Sequence, residues 1–186
     1  MVTSISTHQH PPTQPTPTSK PGPERAAALD PGESRWLGLA IDLAERNVAE
    51  GGGPFGAVVV RDGRAVGRSG NRVTGNLDPT AHAEVMAIRA ACQEVGDFRL
   101  DGTVLYSSCE PCPMCLAASL WARVERVVYA ADRYDAAQAG FDDLEFYTLL
   151  DTPRDSWTTM PVQHLDHPGA GRPFEAWTDC SARIDY

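Results

Sequence analysis

The chain has 186 residues, of which 42% are apolar and 22% are charged, and its formal net charge at pH 7 is −9. This length suits one domain of ordinary size, and no apolar run approaches the roughly 20 residues of a transmembrane helix. Because 25 acidic residues outnumber 16 basic ones, the composition argues against a nucleic-acid backbone as partner, since that binding depends on clustered Lys and Arg. We therefore expect a domain without a membrane span that acts on a small molecule and not on nucleic acid.

Residues 1–23 differ in composition from the rest of the chain. They contain six of the 15 prolines, many Thr and Ser residues and no acidic residue. Such a segment cannot bury enough apolar surface to offset the entropy lost on ordering it. It also lacks the apolar stretch of a secretory signal, and Lys20 lies beyond the place where that stretch would be. We predict a disordered leader over 1–23 and a single domain over 24–186.

The rest of the chain shows the hydrophobic spacing of helices that alternate with short strands. Ser34 is a suitable N-cap for the first helix, and an Asp62-Gly63 turn joins the first two strands as a hairpin. Alternation at this spacing predicts an α/β fold, a three-layer α/β/α sandwich around a central mixed sheet. In chain order we predict a helix over 34–50, strands over 55–60 and 65–69, a loop over 71–79, a helix over 81–95, a strand over 103–107, a helix over 112–122, a strand over 127–131, short helices over 135–140 and 144–150, a loop over 151–172 and a helix over 174–182.

Two short motifs, His82-Ala83-Glu84 and Pro111-Cys112-Pro113-Met114-Cys115, contain the residue types of a metal site. Cys112 and Cys115 lie three residues apart at the start of a predicted helix, so both sulfurs project from one face. The positive N-terminus of that helix favours the thiolate forms that bind metal. One imidazole and two thiolates suit Zn²⁺ and leave its fourth position open for water. We predict that His82, Cys112 and Cys115 bind a catalytic zinc ion.

Glu84 follows His82 by two residues, so we expect its carboxylate to reach the water in the open position. A carboxylate there takes a proton from the water and passes it to a ring nitrogen or a departing amine. Together the motifs have the H-x-E and P-C-x-x-C pattern of zinc-dependent deaminases. The sequence therefore predicts Glu84 as the catalytic acid-base residue.

The cysteines indicate the redox environment and the type of zinc site. There are five of them, an odd number, and three fall within seven residues, which favours a metal site in a cytoplasmic protein over a disulfide framework. A closed, structural zinc site is the alternative and needs a fourth ligand. Cys109 is the one nearby candidate, and we expect it to pack behind the site instead.

From about residue 35 to residue 186, the chain resembles the cytidine-deaminase-like zinc deaminases, and among these the bacterial guanine deaminases. The metal motifs are also present in cytidine, cytosine and tRNA-adenosine deaminases. Two features favour the bacterial guanine deaminases over these other deaminases: the Ala-Gly-Phe-Asp-Asp segment at 139–143 and the long C-terminal tail. The matching segments are residues 52–60, 78–84, 108–115, 139–143 and 173–177.

The resemblance implies substrate contacts outside the metal site. Asn71 and Asp143 match polar contacts to a guanine ring, and Phe55 and Trp121 match the walls that hold it. Ala83 matches a substrate-binding position as well. From residue types alone, other roles stay open: core packing for Phe55 and Trp121, a turn for Asn71, and a helix cap for Asp143.

The resemblance also implies a homodimer. In this family the C-terminal segment, here about residues 151–186, swaps between subunits. A terminal aromatic residue then helps to cover the pocket of the other subunit, and Tyr186 matches it.

The activity that the resemblance implies is hydrolytic deamination of guanine to xanthine and ammonia. Many relatives carry a glutamate a few residues beyond the Phe-Asp-Asp segment, whereas the matching place near Thr148 or Leu149 is uncharged here. This departure leaves a nucleoside (guanosine or cytidine) or another amino-heterocycle such as a triazine as alternative substrates. A non-catalytic zinc or nucleobase-binding module and a nucleic-acid editing enzyme are the competing classes. Glu84 argues against the first and the acidic charge against the second.

Overall fold

The computed structural model describes residues 30–141 and 143–186. The predicted leader at 1–23, Asp142 and the side chain of Asp143 lie outside the described residues. The elements follow the predicted order. They are α1 (Pro31–Ala49), β1 (Gly56–Arg61), β2 (Arg64–Gly70), α2 (Val73–Asn76), α3 (Ala83–Val95), β3 (Thr103–Cys109), α4 (Pro113–Trp121), β4 (Arg126–Ala131), α5 (Arg133–Gln138), α6 (Asp143–Leu150) and α7 (Arg172–Asp179), with a 3₁₀ turn at Arg154–Ser156.

Some element boundaries differ from the predicted ones, for identifiable reasons. Helix α1 is capped by Asp30 and not by Ser34, since Asp30 Oδ1 accepts a hydrogen bond of 2.7 Å from Gly32 N. Pro31 then occupies the first turn, where its missing N–H has no partner to lose. The short helix α2 forms where a loop was predicted, and α7 begins at Arg172 because Pro173 suits its first turn.

The sheet is mixed, as predicted, with strand order β2-β1-β3-β4. Strand β1 pairs antiparallel with both β2 and β3, whereas β3 and β4 are parallel. The β1–β2 connection is a tight turn in which Asp62 and Gly63 both have positive φ, 50° and 69°. Such a turn matches the twist of the two strands it joins.

Helices cover both faces of the sheet, which confirms the three-layer sandwich. On one face Val58 and Val60 of β1 pack with Trp36 and Ala40 of α1. On the other face, Ala57 and Val59 belong to the core cluster that contains the apolar side of α3. Burial of each large apolar side chain contributes on the order of 1.5–3 kcal/mol.

Two glycines allow the helices to approach the sheet closely. A Cβ atom at Gly56 would lie 2.2 Å from the carbonyl oxygen of Ala40 in α1. A Cβ atom at Gly67 would lie 2.2 Å from the carbonyl oxygen of Ala87 in α3. These contacts leave no room for a side chain, so both positions require glycine.

The C-terminal segment at 151–186 differs from the sandwich in its exposure. Nearly all of its residues are exposed, including Leu165, Phe174 and Ile184, which are apolar. Within residues 30–141 and 143–186, no helix is both long enough and apolar enough to cross a membrane.

Candidate active site

Two helix N-termini bring the three predicted metal ligands together. His82 is the N-cap of α3, Cys112 is the N-cap of α4, and Cys115 lies in the first turn of α4. Neither cap residue uses its side chain to cap its own helix. The imidazole and the thiols thus meet close to the positive ends of two helix dipoles.

The distances among the ligand atoms suit a tetrahedral zinc ion. His82 Nδ1 lies 3.6 Å from each sulfur, and the sulfurs of Cys112 and Cys115 lie 3.6 Å apart. A tetrahedral ion with bonds of about 2.3 Å to sulfur and about 2.0–2.1 Å to nitrogen needs ligand atoms about 3.5–3.8 Å apart. The residues present therefore fit Zn²⁺.

The two thiols hold their protons unequally. A hydrogen bond shared with Cys115, together with one to His82, lowers the pKa of Cys112 to about 4, although burial opposes this change. The same thiol–thiol hydrogen bond raises the pKa of Cys115 above its usual value, and burial raises it further. The site favours one thiolate before any metal binds, and a metal ion would displace the remaining proton.

Glu84 lies directly beside the ligands and is only 5% exposed. Ser107 Oγ donates a hydrogen bond of 3.1 Å to Glu84 Oε1, and Cys115 Sγ lies 3.5 Å from Oε2. Burial raises the pKa of the Glu84 carboxyl, and the charge of the Cys112 thiolate adds to the effect. A carboxyl of raised proton affinity next to a metal site can hold and transfer a proton.

Ser107 is a residue that the sequence analysis missed. It lies on β3, and its side chain is buried between the sheet and α3. The signal in the sequence was weak: a small polar residue within a buried strand. Only the packing of α3 on β3 shows that its hydroxyl meets Glu84.

Phe55 and Asn71 lie side by side at the start of β1 and the end of β2. Asn71 N donates a hydrogen bond of 3.0 Å to the carbonyl oxygen of Phe55. The next residue, Arg72, donates a backbone hydrogen bond of 2.8 Å to Ala81, which immediately precedes His82. Asn71 and Phe55 are thereby connected to the metal-binding segment.

Both side chains also have structural contacts. Asn71 Oδ1 accepts a hydrogen bond of 3.1 Å from Val73 N at the start of α2. This is the turn interaction that the sequence left open, and it occupies one of the two lone pairs of Oδ1. The Phe55 ring packs edge-on against Phe141, with ring centroids 4.8 Å apart. Ala83, the first residue of α3, is fully buried.

Trp121 and Tyr186 lie together in an aromatic cluster. Trp121 ends α4 and is 63% exposed, so it is not a core residue. Its ring centroid lies 6.0 Å from that of Tyr186, which also contacts Phe98 and Trp177. Trp121 and Tyr186 line a cavity of about 620 Å³. Val85 lines the same cavity and packs against Cys112 and Cys115.

Cys109 faces away from the metal ligands. It ends β3, and its Sγ lies 3.6 Å from the carbonyl oxygen of Asp132 in the turn before α5. Among the described residues, the group able to hold a metal consists of His82, Cys112 and Cys115.

Glu110, Arg133 and Tyr147 form a second cluster of side chains at the segment just before Cys112, and we call this cluster the brace. Arg133 Nε donates a hydrogen bond of 2.9 Å to Glu110 Oε2, and its guanidinium lies 3.5 Å from the centroid of the Tyr147 ring. The Tyr147 hydroxyl donates to the carbonyl oxygen of Pro111. Helices α5 and α6 are thus connected to the ligand segment by contacts that could not be predicted from the sequence.

Thr148 and Leu149, the uncharged positions singled out in the sequence, lie in α6. Thr148 is exposed, and its hydroxyl donates a hydrogen bond of 3.1 Å to the carbonyl oxygen of Leu144 within α6. Glu145 is also exposed.

Known proteins are similar to this chain in both sequence and fold. Residues 32–131 match the family described as the cytidine and deoxycytidylate deaminase zinc-binding region. The chain is 47% identical to the guanine deaminase of Bacillus subtilis over 152 residues, 81% of this chain and 97% of that protein. The X-ray structure of that guanine deaminase superposes with a TM-score of 0.79 at 47% identity, covering 82% of this chain and 98% of that one.

More distant relatives have other described substrates or ligands. A tRNA-specific adenosine deaminase of Aquifex aeolicus is 34% identical over 136 residues, 71% of this chain and 87% of that protein. A mutant of the protein NE0047 has been solved in complex with 8-azaguanine. Its TM-score is 0.57 at 34% identity, covering 60% of this chain and 65% of that one.

Proposed function

The chain belongs to the cytidine and deoxycytidylate deaminase zinc-binding family, and we propose that it deaminates guanine hydrolytically to xanthine and ammonia. As a member of this family it is a zinc-dependent hydrolase that acts on a C–N bond. The observation that carries the proposal is the position of Glu84, buried against a zinc-compatible set of three ligands. The guanine deaminase of Bacillus subtilis, matched over nearly its full length, supports guanine as the substrate.

In the proposed mechanism, His82 Nδ1 and the sulfurs of Cys112 and Cys115 would hold the zinc ion. When bound, zinc lowers the pKa of a coordinated water to about 7 and so supplies a nucleophile at neutral pH. Three ligands leave one position for that water, as an open catalytic site requires.

Glu84 moves both protons of the consumed water. Its carboxylate takes one proton and delivers it to the ring nitrogen next to the amine-bearing carbon. It then transfers the second proton to the departing amine, which leaves as ammonia, while the oxygen becomes the new carbonyl of xanthine. Ser107 fixes one carboxylate oxygen by its hydrogen bond, which orients the other oxygen for transfer.

Asn71, Asp143 and Phe55 are proposed to bind the base. Because Asn71 Oδ1 already accepts from Val73 N, its amide nitrogen is the atom proposed to donate to an acceptor of the purine. Guanine offers N1–H and the exocyclic amine as donors, which suits the carboxylate of Asp143 as acceptor. The Phe55 ring and the buried backbone of Ala83 complete the proposed wall. Trp121 and Tyr186 line a cavity that does not include Phe55, and they are proposed to cover the base from the side of α4.

We propose that the chain acts as a cytoplasmic homodimer in which the segment at 151–186 swaps between subunits, so that the contacts of Tyr186 with Trp121 and Phe98 seen within one chain would form between two chains. The apolar side chains of this segment are exposed within one chain, with Leu165 at 79% and Phe174 at 75%. Strand β4 forms one edge of the sheet and is largely exposed. A second subunit would cover both. All five cysteines lie in the described residues and none forms a disulfide, which suits a reducing compartment.

A substrate panel tests the proposed function. We expect the zinc-loaded full chain to release ammonia from guanine much faster than from guanosine, cytidine or a tRNA. Guanosine or cytidine turning over faster than guanine would overturn guanine as the substrate and retain the deaminase chemistry. Ammonia release from tRNA alone would contradict the small-molecule assignment, which the net charge of −9 supports.

A further inference from the structure

Asn47, in the last turn of α1, is a buried polar residue that the catalytic scheme does not use. Its side chain is 3% exposed. The amide nitrogen donates two hydrogen bonds, one of 2.7 Å to the carbonyl oxygen of Gly53 and one of 2.9 Å to the carbonyl oxygen of Asn71. Asn47 thus joins α1 to the segment before β1 and to the end of β2.

Two glycines lie directly against the Asn47 amide and leave space for it. A Cβ atom at Gly52 would lie 2.3 Å from Asn47 Nδ2, and one at Gly70 would lie 2.5 Å from Asn47 Oδ1. Two glycines therefore form the walls of a slot that fits the amide closely.

The hydrogen bonds of the Asn47 side-chain amide show which of its atoms contribute to the structure. Both hydrogens of Nδ2 are used, whereas Oδ1 is buried without a hydrogen-bond partner among the described residues. Burying an unpartnered carbonyl is unfavourable, and an apolar residue could have filled the space without that cost. The two donated hydrogen bonds are therefore the contribution that distinguishes this residue.

These hydrogen bonds end at residues of the proposed base-binding wall. Asn71, whose carbonyl oxygen Asn47 holds, donates its own N–H to the carbonyl oxygen of Phe55. Gly53, the other residue held, lies two positions before Phe55, and a Cβ atom on it would be 3.4 Å from Asn71 Cγ. One buried side chain thereby sets the relative position of Phe55 and Asn71.

We propose that Asn47 is a positioning residue for substrate binding, a proposal that rests on the proposed function of Asn71 and Phe55. Buried with both donors engaged, Asn47 does not touch the substrate. It fixes the backbone from which the Asn71 amide and the Phe55 ring reach the base, so it affects how tightly the base binds and leaves the metal ligands unchanged.

The isosteric substitution Asn47→Asp tests this proposal. It removes both donors and places carboxylate oxygens against two carbonyl oxygens. We expect KM for guanine to rise by about 10-fold or more while kcat changes by less than about 3-fold, the pattern of lost binding. Zinc content should remain one ion per chain. The matched control is Leu37→Ala, a buried change in the same helix but ten residues before Asn47, which should lower the Tm and leave KM unchanged.

A double-mutant cycle with Asn71→Ala separates positioning from general destabilisation. If Asn47 acts through Asn71, the two increases in KM will be strongly non-additive. Asn47→Ser, a smaller change that retains one donor, replaces Asn47→Asp if that variant does not fold. Unchanged KM in the folded variant, or fully additive effects, would overturn the proposal.

Hydrogen exchange provides a readout that does not depend on turnover. The Asn71 amide, which donates to Phe55, should exchange faster in the Asn47 variant than in Leu37→Ala at matched global stability. Absence of guanine turnover by the wild-type chain would instead contradict the proposed function. Equal exchange in the two variants would overturn the positioning role whatever the substrate.

Discussion

At the residue scale, three side chains form the candidate metal site. His82 and Cys112 are the N-cap residues of α3 and α4, and Cys115 lies in the first turn of α4. His82, Cys112 and Cys115 lie at mutual distances of 3.6 Å, and Glu84 lies next to them in a buried position. Cys109 is close in sequence yet directs its sulfur to the carbonyl oxygen of Asp132. The described residues thus offer three metal ligands, and the proposed open site would leave the fourth position to water.

Substitution of two buried cysteines distinguishes an open site from a closed one. Cys115→Ala removes a ligand, so we expect bound zinc to fall from about one ion per chain to a small fraction, and activity with it. Cys109→Ala should keep the zinc, because its sulfur contacts the backbone instead. The measurement is zinc content by elemental analysis after gel filtration. Loss of zinc from Cys109→Ala would contradict the open site and favour a structural one.

The sequence was sufficient to predict that His82, Cys112 and Cys115 lie together, because local spacing determines which side chains share a helix end. The catalytic role of Glu84 stays a prediction. The sequence was insufficient for Ser107 and Asn47, whose roles depend on contacts between elements distant in the chain. The hydroxyl of Ser107 meets Glu84 only because α3 packs on β3, and Asn47 reaches Asn71 only because α1 packs beside the end of β2. The roles proposed for Asn71, Asp143 and Tyr186 stay predictions.

At the element scale, the active site lies where the N-termini of α3 and α4 meet above the sheet. Strand and helix periodicity predicted these elements and the mixed sheet, and cap chemistry then shifted individual boundaries, as at Asp30 in α1. The contacts that join α5 and α6 to the ligand segment were beyond sequence reasoning. They depend on Arg133 lying between the Glu110 carboxylate and the Tyr147 ring.

Removal of Arg133 tests the strength of this brace. The Glu110 side chain is 12% exposed and that of Arg133 29%, so Arg133→Ala leaves a mostly buried carboxylate without its cation. We expect the free energy of unfolding to fall by about 2 kcal/mol, less than for a fully buried pair. Urea denaturation followed by circular dichroism measures it.

Arg99→Ala is the control for that experiment. Its ion pair with Asp101 is exposed on both sides, and exposed pairs contribute little. Its urea midpoint should therefore stay at the wild-type value. Equal effects of the two substitutions would contradict a specific role for the brace.

At the scale of the whole molecule, the C-terminal segment at 151–186 exposes apolar side chains that the proposed dimer would bury. Sequence composition predicted a loop at 151–172 and a helix after it, and the structure shows both. In the proposed dimer a second chain covers the apolar side chains of these elements. Contacts between two chains could not be predicted from a single sequence.

Light scattering coupled to gel filtration tests the dimer. We expect the full chain of 20.1 kDa to have twice that mass in solution. The double substitution Leu165→Ser and Phe174→Ser should shift it toward the monomer, because both side chains are proposed to be buried at the interface. Val48→Ser, which removes an exposed apolar side chain from α1, is the control and should stay dimeric. A wild-type chain that is monomeric at all concentrations would refute the dimer.

The central claim is that Glu84 transfers protons during guanine deamination at a zinc site. The substitution Glu84→Gln tests it most directly, since the amide keeps the shape of the side chain but cannot carry the proton. We measure guanine-dependent ammonia release and zinc content together. We expect one zinc ion per chain in both proteins and a fall in kcat of at least about 10²–10⁴-fold in the variant. A zinc-loaded variant with activity within a few-fold of the wild-type chain would contradict it.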